Sequence, residues 1–158
     1  MRRLVYPAGH LRLQQPVGED ALRYFHGGVP GLSSGDLITP HPPNVLVGCR
    51  VCEARGKGLT AVSPDGQAVD PPTGRPDRAY ISSDRDYGRF YASRYWYGDL
   101  YTVEPAGDLG KSTDAPFPTW CASAALVLSV YTRAVLLTPG QRRSLQRRWT
   151  EADRVRGR

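Results

Sequence analysis

His26 stands directly before Gly27 and Gly28 at the end of a short apolar-aromatic run, Leu22 to His26. An imidazole followed by two residues without side chains can offer a ring nitrogen and bare backbone to a ligand at one point, because glycine permits close approach. Tyr80, within Ala79-Tyr80-Ile81-Ser82-Ser83, supplies a flat ring that can lie against a planar group. Cys49-Arg50-Val51-Cys52 is half of a zinc knuckle, and His41 with Cys121 could complete four ligands that staple a loose loop. No second Cys-x-x-Cys exists, so two reduced thiols are the more ordinary expectation and no metal ligands are assigned. Arg94-Tyr95-Trp96-Tyr97 is basic and aromatic, suited to stacking a nucleobase or an aromatic acceptor, although helix-end packing is the plainer expectation.

The elements that must position these groups follow from local pattern. Leu22 to His26 predicts a strand ending at the glycine pair, and Leu37-Ile38 a small strand after Gly-Asp turn chemistry. From Pro40 to Arg78 the turn clusters His41-Pro42-Pro43, Gly56-Lys57-Gly58, Ser63-Pro64-Asp65-Gly66 and Asp70 to Pro76 leave room only for a brief run over Asn44 to Val47, which predicts a long loop or flap. Ala79-Tyr80-Ile81 predicts a strand, and Ser82-Ser83-Asp84 a helix N-cap, with Asp84 and Asp86 in the positive first turn of a helix to about Tyr95. Tyr87, Tyr91 and Tyr95 recur at i, i+4 and i+8 beside Phe90, a stripe expected to face the core. Leu100 to Val103 predicts a strand stopped by Pro105, Ala106 to Thr119 a loop, and Ala124 to Leu137 two strands or one bent strand. Thr138-Pro139 opens a C-terminal helix whose buried face holds Leu145, Trp149 and Ala152.

The chain has 158 residues, enough for one domain with a real core. Fourteen prolines and 17 glycines with 40% hydrophobic residues argue for a loop-rich, β-heavy globule and against a long helical bundle. The expected class is α+β: a mixed or antiparallel sheet with two helices, an N-terminal extension over 1–20, a loop-rich insert over 40–78 and a basic helix and tail over 138–158. The net charge of +6 lies mostly in that tail, where seven arginines face only Glu151 and Asp153. A solvated helix face explains this, and an affinity for nucleic acid is its functional counterpart. The expected protein has no secretory signal and no membrane partner, and its odd cysteine count agrees with a reducing, cytoplasmic setting.

Four short signals in order carry a resemblance: Tyr24-Phe25-His26-Gly27, then Gly35-Asp36-Leu37-Ile38-Thr39-Pro40, then Tyr80 followed by Ser-Ser-Asp, then Val103-Glu104-Pro105. Over Leu22 to Pro118 the chain resembles the diphtheria-toxin-type ADP-ribosyltransferases, and among them the small rifamycin-modifying enzymes. The resemblance implies a compact core of two packed sheets and an activity that moves ADP-ribose from NAD to an acceptor with loss of nicotinamide. It implies that His26 binds the adenosine-side ribose, that the Gly27 backbone holds the nicotinamide amide, and that Tyr80 and Tyr91, with ten residues between them, sandwich the nicotinamide. It also implies a carboxylate that favours the oxocarbenium-like transition state. Asp114, before Ala115-Pro116, ranks first, with Asp108 second and Glu104 third. The acceptor it implies is a rifamycin-like hydroxyl, with protein or nucleic acid as rivals. The contrasting expectation is a non-catalytic, zinc-stapled basic module that binds nucleic acid or protein.

Overall fold

One long bulged hairpin organises the molecule. In the computed structural model, which describes residues 22–40, 47–69, 75, 77–112 and 119–156, β4 (Asp99–Lys111) pairs antiparallel with β5 (Thr119–Thr132). Register shifts between Leu100 and Tyr101, Thr102 and Val103, and Ala106 and Leu109 bend and twist this pair. β1 (Tyr24–Gly28) takes the other edge of the first half of β4, from Tyr24↔Val103 to Gly28↔Asp99. β3 (Ala79–Ser82) lies along the start of β5 and meets β1 at Phe25↔Ser82. The pairings therefore run β5–β3–β1–β4 and return to β5, closing a circuit, while β2 (Leu37–Ile38) adds to β5 at Leu126 and Ala125.

The class is α+β, with one five-stranded antiparallel sheet rather than the two packed sheets expected. The bulges explain the difference: a strand pair that bends at three places curves one sheet around a core that would otherwise need two.

There are three helices among the described residues, one more than expected. α1 (Arg50–Gly56) is a short helix inside the insert, and its N-cap is Cys49, whose sulfur accepts from the Cys52 N–H at 3.5 Å. α2 (Arg85–Arg94) starts at Asp84, which accepts from Tyr87 N–H at 2.9 Å. α3 (Pro139–Arg156) opens with a reciprocal cap: Gln141 N–H donates to Thr138 Oγ1 at 3.1 Å and Thr138 N–H to Gln141 Oε1 at 2.8 Å. β4 also runs through Pro105 instead of stopping there. The pairing with β1 ends at Val103, so Pro105 lies where β4 has become an edge, the place where a sheet tolerates proline.

Apolar side chains separate by face. Ile81, Tyr101, Val103, Ala125 and Val127 point inside the circuit, joined by Val51 and Cys52 of α1. Phe25 and Leu100 point outward and are covered by Ala92 of α2, Val135, Leu137 and, on α3, Leu145. The sheet is thus buried on both sides where β1 crosses it, and that burial positions the candidate site.

Candidate functional site around His26 and Tyr80

Register decides which side chains can meet. Partners across an antiparallel pair share a face, so Phe25↔Ser82 puts Phe25, Gly27, Tyr80 and Ser82 on the outer face and Tyr24, His26 and Ile81 on the inner one. Ring contacts agree: Tyr24 meets Trp120, the partner of Ile81, edge-on at 6.1 Å, and Phe25 meets Tyr131 edge-on at 5.7 Å.

His26 is half-buried and joins the two strands. Its Nδ1 lies 2.8 Å from the Tyr80 carbonyl oxygen. A carbonyl can only accept, so Nδ1 carries the proton. Burial pulls the imidazole below its ordinary pKa, and the hydrogen bond to Tyr80 offsets this only in part. Near pH 7 the ring is therefore neutral and Nε2 is an acceptor. It lies over Gly28, where a Cβ would stand 2.7 Å from Nε2. The absence of that one carbon makes room for the imidazole.

Gly27 serves another neighbour. A Cβ there would come within 1.9 Å of the Gly88 carbonyl oxygen and 2.5 Å of the Ala92 nitrogen. Its side-chain space is filled by α2, so the expected open approach of a ligand to bare backbone does not exist on that face. The strand edge is what Gly27 has left to offer.

Tyr80 is half-buried, and its hydroxyl accepts from the Arg75 N–H at 3.1 Å. Tyr91 sits in an aromatic cluster between α2 and α3. Its ring lies 4.9 Å from Tyr87 and edge-on to Phe90 at 5.5 Å, its hydroxyl is 3.3 Å from that of Tyr87, and the Arg94 guanidinium lies 5.8 Å from its centroid. Tyr87 and Phe90 pack on Trp149 of α3 at 4.9 and 5.1 Å. Tyr87 and Phe90 thus dock the C-terminal helix, whereas Tyr95 packs on the inner core and Arg55.

Of the three candidate carboxylates, Asp114 lies outside the described residues. Asp108 is gripped by the Arg78 guanidinium, with Nη1 at 2.7 Å and Nη2 at 2.5 Å, and by the Ser123 hydroxyl at 2.6 Å. These partners, Arg78 foremost, hold it well below the usual carboxylate range. They also pin the bulge at Gly107, whose φ is +85°. Glu104 is exposed on β4 opposite Leu126.

The structure adds a carboxylate that sequence reasoning missed. Asp99, 1% exposed, accepts from Gly31 N–H at 2.9 Å, Ala134 N–H at 2.8 Å and Arg133 Nη1 at 2.6 Å. It fastens the loop after β1 to the turn after β5. An acid directly before the run Leu100-Tyr101-Thr102-Val103 was the available signal.

Cys49, Cys52 and Cys121 are buried and joined in no disulfide, and Cys49 is occupied as a helix cap. Among the described residues no group of three or more His, Cys, Asp or Glu is placed to hold a metal ion, and His41 lies outside them. The Arg94–Tyr97 cluster ties down the insert: Trp96 Nε1 donates to the Val62 carbonyl at 2.9 Å, Arg94 to that of Ala68, and Arg50 stacks on Trp96 at 4.3 Å. No described helix is long and apolar enough to cross a membrane.

No protein-family model matches this chain, and no curated protein matches it.

Proposed function

We propose that this protein is an NAD-dependent mono-ADP-ribosyltransferase, as the resemblance of its short signals to the diphtheria-toxin-type enzymes implies. The observation that carries this is the hydrogen bond from His26 Nδ1–H to the Tyr80 carbonyl. It joins the two strands that bear the histidine and the first tyrosine, and it leaves Nε2 as a neutral acceptor suited to a ribose hydroxyl.

In the reaction the bond from the nicotinamide nitrogen to the ribose anomeric carbon breaks, and its electron pair leaves with nicotinamide. An acceptor nucleophile bonds to that carbon and gives up its proton. His26 Nε2 fixes the adenosine-side ribose; the Tyr80 ring projects from the opposite face of the sheet, so its stacking on the nicotinamide rests on the resemblance and not on the strand register. Gly27 contributes its strand edge. Tyr91 is engaged with Tyr87 and Phe90, so Tyr80 carries more of the stacking than a symmetric sandwich would give it. Asp114 is assigned the electrostatic stabilisation of the oxocarbenium-like state, because Asp108 is committed to Arg78 and Ser123. The acceptor is a hydroxyl of a rifamycin-like small molecule or a group on protein or nucleic acid, in a cytoplasmic setting consistent with three cysteines joined in no disulfide.

Incubation with NAD labelled in the nicotinamide, across a panel of those acceptors, tests this. Wild type should release nicotinamide and His26→Ala should not; equal release by both under every acceptor rejects the assignment. One zinc per purified chain with no NAD-dependent change in melting temperature would favour the zinc-stapled binding module instead.

A further inference from the structure

A second site emerges on the far side of α2. Here Arg94, Arg142 and Arg143 line a cleft of about 300 Å³ together with one acid, Asp65, and with Phe90 and Gln67. Three arginines line the cleft against one carboxylate, an unbalanced arrangement in which like charges repel and a bound anion would relieve the repulsion. Two of the arginines are held in place rather than free to swing away. Arg142 donates to the Ser93 carbonyl at 3.2 Å and the Leu137 carbonyl at 3.4 Å, and Arg94 to the Ala68 carbonyl. The Arg142 side chain is 11% exposed, and its Nε is buried without a hydrogen-bond partner among the described residues. Asp65 lies 3.9 Å from Arg142 Nη1, too far for a tight pair. Its carboxyl is held down first by the Ser63 hydroxyl, with Arg142 and Arg94 adding smaller effects. Arg143 is exposed on α3 at the rim.

We infer that this cleft binds a compact phosphate anion, inorganic pyrophosphate or the phosphate end of a nucleotide, through Arg94, Arg142 and Arg143. Guanidinium forks match phosphate oxygens two at a time, and a preorganised pair loses little freedom on binding. The volume suits a small anion better than a nucleic-acid strand. Asp65 stands at the wall as an internal competitor, so the anion displaces its weak hold on Arg142. None of the three arginines is assigned to the dinucleotide, so pyrophosphate binding by a protein inert toward NAD would leave this site standing.

Calorimetric titration of the full chain with inorganic pyrophosphate tests it. Wild type should show one saturable site. Arg143→Gln, at an exposed position, should weaken binding about tenfold. Asp65→Asn should tighten it severalfold, an outcome that a purely structural Asp65 would not produce; should that variant not fold, Arg143→Gln alone decides. Non-saturating heat at millimolar pyrophosphate, or unchanged affinity in a folded Arg143→Gln, overturns the inference. So does binding of a single-stranded oligonucleotide without binding of pyrophosphate.

Discussion

Gly27 of β1 and Gly88 of α2 meet backbone to backbone: a Cβ on Gly27 would stand 1.9 Å from the Gly88 carbonyl oxygen. A Cβ on Gly88 would in turn stand 2.7 Å from Leu100 Cδ1. The helix that carries Tyr91 is thereby seated as close to the histidine's strand as backbone allows. Gly27→Ala has no flexible neighbour to push aside, so α2 must lift. The expected cost is about 2 kcal/mol, seen as a fall in melting temperature of roughly 4–8 °C.

Gly28→Ala should behave in the opposite way. The atom it meets is His26 Nε2, at the end of a side chain that can rotate. Thermal stability should change little, while nicotinamide release should fall as far as in His26→Ala. Full activity in a folded Gly28→Ala would remove the imidazole from the proposed site.

The lowered pKa of His26 makes stability depend on pH in a defined direction. The unfolded chain binds a proton near the ordinary value of 6.5, and the buried ring does so only at lower pH. The neutral ring's contribution is thus fully present above that value and is lost as pH falls from it toward the folded-state pKa. Urea midpoints measured at pH 7.5 and 5.5 should differ more in wild type than in His26→Gln.

Asp99→Ala should be among the most damaging single changes. It strands the N–H groups of Gly31 and Ala134 and releases Arg133. The expected loss is about 3 kcal/mol in chemical denaturation. Asp99→Asn, which keeps an acceptor oxygen, should lose less.

The carboxylates can be told apart by kinetics. Asp108→Asn leaves nicotinamide release close to wild type, because that group serves Arg78 and the Gly107 bulge. Asp114→Ala should lose turnover while keeping NAD affinity. The reverse pattern in release assays would move the role to Asp108.

Local chemistry made several elements legible in advance. Thr138 caps the helix it precedes and Leu37-Ile38 forms its small strand, because each depends on residues a few positions away; α2 begins where expected, but its cap is Asp84, expected inside the first turn, and not a serine oxygen. α1 was hidden: its seven residues lie between turn-forming glycines, and a thiol is an unusual cap. Pro105 misled for a different reason, since its tolerance depends on β1 having already left that edge. At the site, a histidine before two glycines stood out, yet the reason for each glycine did not. Gly28 yields to the imidazole and Gly27 to Gly88, a partner brought by the fold and invisible to spacing.

The closed circuit of strands has a consequence for the order of assembly. β4 and β5 are neighbours in sequence, whereas β1 must reach β3 and β4 across 57 to 79 residues (Phe25↔Ser82 to Tyr24↔Val103). Closing the shorter loop costs less entropy. The hairpin is therefore expected to zip first and β1 to arrive as the clasp. The clasp carries His26, so its shielded ring comes into being only with the last long-range pairing, and amide protection of the hairpin should precede that of Tyr24–Gly28 during refolding.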